Sequence, residues 1–310
     1  MPAGRVRASV VAPEFELRHW FSWPWYWTGT LVDDPVEDRG HTGAVPYDPT
    51  IYLGSAAHYR YGRPAYSPGL EAVLTQETGL DGTGWLLDAG CGPGVLAIRL
   101  AHLFEQAVGL DPDAGMLAEG CHAAGEKGVM NIRWVQGLAE DLPAVAPGPY
   151  KLVTFGQSFH WTDEQLVAET VYDMLEPGGA LALIVHTVTG RPRPPDPGVP
   201  LIPHDEIKAL VAKYLGSTRR AGQGTARERT HRFEDVLART RFGVPQQFFV
   251  PGIPDLLRDS ESVLSVTCPS RPRRRTWLVI VLTTSPARCA RCSRPVLLKV
   301  LSGTGRATPR

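Results

Sequence analysis

The stretch Trp85-Leu86-Leu87-Asp88-Ala89-Gly90-Cys91-Gly92-Pro93-Gly94 decides how the chain is read. A short run, apolar apart from Asp88, meets three glycines spaced two apart, and Val95 to Phe104 then carries apolar residues at helical spacing. A brief apolar run bounded by glycine has the length of a buried strand, and the run after it has the period of a helix. Glycine tolerates positive φ and lets a ligand approach the backbone. Strand, glycine turn and helix in that order place a ligand at the carboxyl edge of a sheet, beside the first crossover. Asp88 sets a carboxylate near that place.

Working outward, the pattern repeats. Gln106 to Leu110 reads as a second strand, Ile132 to Val135 as a third, Leu152 to Phe155 as a fourth and Ala180 to Val185 as a fifth. Helices are predicted at Ala114 to Lys127 and at Glu164 to Leu175, the latter stopped by Pro177-Gly178-Gly179. Asp205 to Leu215 and Phe233 to Arg239 read as later helices, and Gln246 to Val250 as one more strand. Strands alternating with helices imply parallel pairing with right-handed crossovers. The fold class is therefore α/β, a doubly wound, mostly parallel Rossmann-like sheet. At 310 residues the chain suits one large domain, with or without a small appendage. Three zones are expected: an irregular Trp-rich extension over 1–45, the α/β domain over 46–266, and a basic tail over 267–310.

The acids beside the turn carry the chemistry. Asp111 ends the second strand in Val108-Gly109-Leu110-Asp111-Pro112-Asp113, where a carboxylate can accept both hydroxyls of a ribose. Glu140 and Asp141 follow the third strand and can accept from an adenine amino group. A glycine turn is shared by several cofactor classes. One that binds a nicotinamide dinucleotide asks for its third glycine three places after the second. That position is Val95 here, and the third glycine is Gly94. An NAD(P)-dependent oxidoreductase is the alternative enzyme reading, resting on the shared turn alone.

Four segments in order, Asp88 to Gly94, Gly109-Leu110-Asp111-Pro112, Ala139-Glu140-Asp141-Leu142-Pro143 and Leu175-Glu176-Pro177-Gly178-Gly179, resemble the motif set of class I S-adenosylmethionine-dependent methyltransferases. More narrowly, the chain resembles the small-molecule, trans-aconitate methyltransferase-like branch (methyltransferase type 11). Tyr59-Arg60-Tyr61-Gly62-Arg63-Pro64-Ala65-Tyr66-Ser67-Pro68 is similar to an element that precedes the first strand in that branch, with Ser67 interposed. Phe159-His160-Trp161 is similar to its element after the fourth strand. The likeness spans residues from about 47 to 266. It implies S-adenosyl-L-methionine as cofactor. It implies that Gly90, Gly92 and Gly94 line the methionine part, that Asp111 holds the ribose and that Glu140 and Asp141 face the adenine. Tyr59 and Arg63 would close over the cofactor, with Arg63 pairing its carboxylate.

Methyl transfer is an in-line displacement at a sulfonium carbon with a neutral leaving group. The protein's main task is to hold nucleophile and methyl in line in a dry pocket. A base is needed only when the acceptor has a proton to lose. Gln157-Ser158-Phe159-His160-Trp161 follows the fourth strand, facing the expected acceptor. His160 is the candidate base; the competing reading has it capping a helix or bonding a loop, with Trp161 in the core. Gln157 is read either as a polar contact to the cofactor's amino-acid end or as a loop residue. The polar-Pro-Pro-aromatic run of enzymes that methylate amino groups of nucleic acid bases is absent here.

Charge narrows the partners. Residues 262–310 hold ten Lys or Arg and no acid, so residues 1–261 hold 32 acidic and 22 basic side chains. An acidic body argues for a small-molecule acceptor and against nucleic acid, which needs a basic face. No apolar run approaches the ~20 residues of a membrane span. Five scattered cysteines do not make a disulfide framework, and a cytoplasmic setting is expected. Cys289 and Cys292 have zinc-like spacing but form one pair, so no metal is expected.

The ends invite a different explanation. Four of the eight tryptophans fall between Trp20 and Trp27, without the apolar stripe of an interfacial helix, and disorder or an upstream start is expected there, with Val45 as the natural start. Arg271 to Arg275 begins acid-free, Arg- and Pro-rich text of the kind a wrong reading frame gives. From about residue 267 no native structure is expected, and the sheet would then lack its last strand, leaving an inactive methyltransferase remnant as a third reading. Trp277 to Thr284 is a β-like run that either fills the vacant place or aggregates.

Overall fold

Leu86 and Leu87 are both fully buried, on opposite faces of one sheet, and this doubly covered layer organises the molecule. The structure is a computed structural model describing residues 52, 54–63, 65–188, 204–216, 220–221, 224–225, 232–252 and 275–283. Beside a two-residue strand pair at Arg220–Ala221 and Gly224–Thr225, the described residues hold seven main strands, β1 (Trp85–Ala89), β2 (Gln106–Asp111), β3 (Ile132–Gln136), β4 (Tyr150–Gly156), β5 (Leu175–Val188), β6 (Gln246–Pro251) and β7 (Arg275–Thr283). They form one sheet in the order β3-β2-β1-β4-β5-β7-β6. The first five pair in parallel, and β7 runs antiparallel to both β5 and β6. The helices are α1 (Ala56–Gly62), α2 (Leu70–Thr78), α3 (Val95–Leu100), α4 (Ala114–Glu126), α5 (Glu164–Met174), α6 (His204–Leu215) and α7 (Phe233–Leu237).

Period-2 alternation sends Leu86, Ala107, Leu152 and Ile184 against Leu70 and Leu74 of α2 and Leu96 and Leu100 of α3. The intervening Leu87, Val108, Val153 and Leu183 meet Val167 and Val171 of α5 and Phe233 of α7. A parallel sheet covered on both faces needs such continuous apolar strands. Two helices start on aspartate caps. The Asp113 carboxylate accepts from the Met116 amide at 3.0 Å, and that of Asp163 accepts from the Leu166 amide at 3.1 Å.

One side chain knits β2, β3, α4 and the glycine turn together. The Trp134 indole lies so close to Gly94, Gly109 and Gly120 that a Cβ on any of them would fall 2.3–2.8 Å from the ring. Three glycines from separate elements thus make the space for one tryptophan.

Two differences from the sequence reading are structural. The strand expected from Ala180 begins at Leu175, which pairs with Tyr150 before a register break returns Ala180 opposite Leu152. Pro177-Gly178-Gly179 therefore sits in an irregularity of β5, with Gly178 at φ 84°, instead of separating a helix from a strand. The second difference is a correction. The tail was expected to lack native structure from about residue 267, yet Arg275–Thr283 stands between β5 and β6 in a nine-pair register from Ala180–Thr283 to Val188–Arg275. Past Arg275 the run is uncharged, apolar and rich in β-branched residues, which suits a strand flanked on both edges. Val279 and Val281 join one face of the core and Leu282 the other. Of the two readings given to Trp277–Thr284, the run that fills the vacant place is the one this strand matches. Residues 1–45, with the Trp-rich run, and the pair Cys289 and Cys292 lie outside the described residues.

Candidate functional site

The strand order reverses between β1 and β4, and the carboxyl ends of these strands open on one cleft. A reversal point of this kind is where open α/β sheets bind ligands. Gly90 and Gly92 enter the cleft from the β1 end, Gly156 and Gln157 from the β4 end, and Asp111 from β2.

The turn is shaped by what its residues lack. Gly90 (φ 65°) and Gly92 (φ 53°) occupy the left-handed region that disfavours other residues. A Cβ on Gly90 would fall 2.4 Å from Cβ of Ser158, whose hydroxyl donates to the Ala89 carbonyl at 2.7 Å. The loop after β4 is thereby drawn onto the turn. A Cβ on Gly92 would meet only Cε1 of Tyr59, at 4.0 Å. This glycine faces open space under an aromatic ring.

Asp88 works from beneath. It is buried, accepting from the Ala97 amide at 3.0 Å and from the Thr154 hydroxyl at 2.8 Å, so it ties β1 to α3 and β4. Burial raises its carboxyl to about 7, against those two hydrogen bonds. It does not line the cleft. Asp111 does. Its Oδ2 accepts from the Gly92 amide at 2.7 Å and its Oδ1 from the Asp113 amide at 3.0 Å. Burial raises its carboxyl to about 6, against the same two bonds. The Gly92 amide is thus engaged by Asp111 and not offered to a ligand. The Cys91 amide donates to the Leu110 carbonyl and the Gly94 amide to the Cys91 carbonyl, both at 3.0 Å. The amides of Cys91, Gly92 and Gly94 are thus all engaged within the protein.

Of the residues singled out from sequence, Tyr59, Gly90, Gly92, Asp111, Glu140 and Gln157 come together in the cleft. Glu140 also accepts from the Asp163 amide at 2.7 Å, joining the short 3-10 turn at Ala139–Asp141 to the start of α5. The others stand apart. Gly94 caps α3 and packs on Trp134. Asp141 turns back to accept from the Leu138 amide at 3.2 Å. Arg63 stacks its guanidinium 4.5 Å from the centre of the Tyr59 ring. His160 is not on the cleft wall; its ring lies 4.9 Å from that of Trp161, tilted by 38°. Gln157 has φ 62°, the one positive φ outside glycine among the described residues, and its buried amide nitrogen has no hydrogen-bond partner there. Backbone strain of this kind is held at functional sites.

Several cleft residues were not anticipated. Met116 and Leu138 supply apolar wall. Trp161 faces the cleft, where the sequence left it as a core candidate beside His160. Tyr52 carried no motif at all; it packs edge-on against Tyr59 at 5.7 Å and against Trp161 at 6.2 Å. Met116 alone had a local signal, one turn after the Asp113 cap.

The doubly wound sheet thus carries an acid at the end of β2 bonded to the β1 turn. Residues 86–179 match the family described as methyltransferase domain. The chain is 33% identical over 107 residues to the tRNA 5-carboxymethoxyuridine methyltransferase of Escherichia coli K12, covering 34% of this chain and 41% of that one. It is 32% identical over 95 residues to the ubiquinone biosynthesis O-methyltransferase of Acinetobacter baumannii strain AYE, covering 30% and 40%. The chain thus spans about two fifths of the length of these curated relatives. Among solved structures it is similar to the geranyl diphosphate C-methyltransferase of Streptomyces coelicolor A3(2), at 16% identity and a TM-score of 0.44 over 69% of this chain and 78% of that one.

Proposed function

We propose that the chain transfers a methyl group from S-adenosyl-L-methionine to a small-molecule acceptor at a carboxylate, hydroxyl or carbon. The observation that carries this reading is the Asp111 carboxylate bonded to the Gly92 amide. A dinucleotide turn offers free amides to a pyrophosphate. Here Asp111 has taken the amide and set a negative charge at the same place. The described cleft residues include the acids Asp111 and Glu140 and no Lys, Arg or His. Such a wall opposes a pyrophosphate and suits a neutral adenosine joined to a sulfonium.

The residues fit that cofactor in kind. Each Asp111 oxygen has accepted one backbone amide and keeps a lone pair for a ribose hydroxyl. Glu140, Leu138 and Ala139 bound the adenine side, and Gly90 and Gly92 leave room for the methionine part. Tyr59 covers it, with Arg63 behind the ring. The cofactor supplies the activated methyl. The chain's own part is to hold the reactants in line and keep water out. His160, set behind Trp161, is proposed as a loop residue and not as the base.

A small acceptor is favoured over nucleic acid because the first 261 residues carry ten more acids than bases. The tRNA specificity named for the E. coli relative belongs to that protein. Calorimetry tests the proposal. S-adenosylhomocysteine is expected to bind one site, with NAD showing no heat; binding of NAD but not S-adenosylhomocysteine would replace this reading with the oxidoreductase.

A further inference from the structure

Tyr52 and Trp161 form a bridge whose use the proposed function leaves open. Tyr52 precedes α1, whereas Trp161 sits in the 3-10 turn Phe159–Trp161 after β4. The two are linked by an edge-on ring contact, with centroids 6.2 Å apart. Both rings line the cleft beside Gly90, Gly92 and Gln157.

Sheet order says which part of a bound cofactor they meet. Strands lie about 4.8 Å apart. With the candidate adenine and ribose acids after β3 and at the end of β2, a bound cofactor would run toward the β1 turn, and the next strand across, β4, would lie on the side of its methyl. Trp161 follows that strand. Tyr59 is already occupied as a cation partner by Arg63, 4.5 Å from its ring centre. Tyr52 and Trp161 are the remaining aromatic surfaces over this end of the cleft that the described residues give to a ligand without a guanidinium on them. Phe155 is buried in the core beneath.

We propose that Tyr52 and Trp161 form an aromatic roof that recognises the positive charge of the sulfonium and so discriminates the methyl-bearing cofactor from its neutral product. A cation within about 6 Å of an aromatic face is attracted by the ring quadrupole, most strongly where water is excluded. The neutral product lacks that attraction and leaves more readily. The roof also spans the cleft from the α1 side to the β4 side, so a ligand beneath it is shielded from solvent. Tyr52 and Trp161 are positioning residues in this account; neither exchanges a proton with the substrate.

The inference rests on the reading of the site as one for S-adenosyl-L-methionine, and the test separates the two. Affinities of the full chain for S-adenosylhomocysteine (neutral at the sulfur) and sinefungin (an amine cation in its place) are measured by calorimetry for wild type, Tyr52→Leu, Tyr52→Phe and Trp161→Leu. The expected result is a drop of about three- to tenfold in the sinefungin-to-S-adenosylhomocysteine affinity ratio for each Leu variant, the span of one partly desolvated cation–π contact. Tyr52→Phe keeps the ring, loses only the hydroxyl and is expected to keep the ratio. Because the readout is a ratio, a general loss of folded protein does not mimic it. A ratio unchanged in both Leu variants overturns the roof as a charge sensor, whether or not both affinities fall together. If wild type binds neither ligand, the functional reading itself fails and takes this inference with it.

Discussion

Asp111 concentrates the account at the scale of a single residue. Its carboxylate sits at the end of β2, holds the Gly92 amide and faces the cleft, and burial lifts it to about 6. A carboxylate raised above its unfolded value of 3.8 has opposite effects on folding and on binding. Its contribution to stability is fully present below about pH 4 and is lost as pH rises through about 6, because burying the charged form is the costly state. Ribose hydroxyls, in contrast, donate best to the ionised form. Affinity for S-adenosylhomocysteine is therefore expected to fall as pH drops from 7.5 to 5, with Asp111→Asn weak and nearly flat across that range. Calorimetry at several pH values checks this; a wild-type profile as flat as that of Asp111→Asn would remove Asp111 from the ligand.

The same scale shows what was legible. Gly90, Gly92 and Asp111 line the cleft as their sequence positions imply, because each stands at a fixed place on a strand end. Asp141 and Arg63 were placed in the site and stand outside it, since the direction a loop side chain takes is settled by its neighbours. Asp141 bonds its own turn, and Arg63 stacks on Tyr59. Tyr52 was invisible because its partners, Tyr59 apart, are far along the chain: Trp161 lies beyond four strands.

At the scale of elements, packing decides more than propensity. The first four strands were read within about two residues of their observed ends because buried parallel strands are short apolar runs. Helices α1 and α2 were passed over, although Leu70, Leu74 and Thr78 recur every fourth residue on the buried side of α2. That stripe is narrow and its last member polar, so the signal was slight. Trp134 offers a sharper test. Gly120→Ala in α4 gains about 1 kcal/mol of helix propensity. The new Cβ would fall 2.8 Å from the indole, and overpacking costs about 1–3 kcal/mol. Overpacking is expected to prevail, giving a net loss of up to about 2 kcal/mol in urea unfolding. A stabilised variant would mean that the indole moves freely and does not bind the turn to β2 and α4.

For the whole molecule the question is β7. Text past about residue 267 reads like a wrong frame, and on that view its removal costs nothing. In the sheet, however, β7 pairs with β5 along nine residues and joins β6 to the rest. Val279, Val281 and Leu282 are essentially fully buried. At roughly 1.5–3 kcal/mol for each such side chain, the three hold about 5–9 kcal/mol, a large share of a domain's ~5–15 kcal/mol. Deleting residues 275–310 is expected to abolish cooperative thermal unfolding, followed by circular dichroism. A truncated chain that melts like the full one would show that β7 is dispensable and return the tail to its first reading. The strand was legible only as one of two outcomes: its β-branched run could fill a vacant place or aggregate, and nothing local told that β5 and β6 leave a slot for it.

The most direct measurement is a crystal structure of the chain soaked with S-adenosylhomocysteine. The account predicts both ribose hydroxyls within about 2.5–3.0 Å of the Asp111 carboxylate, the adenine against Leu138 and Ala139, and the sulfur beneath Tyr52 and Trp161. Ligand found elsewhere, or bound in the cleft with its ribose turned away from Asp111, would contradict it.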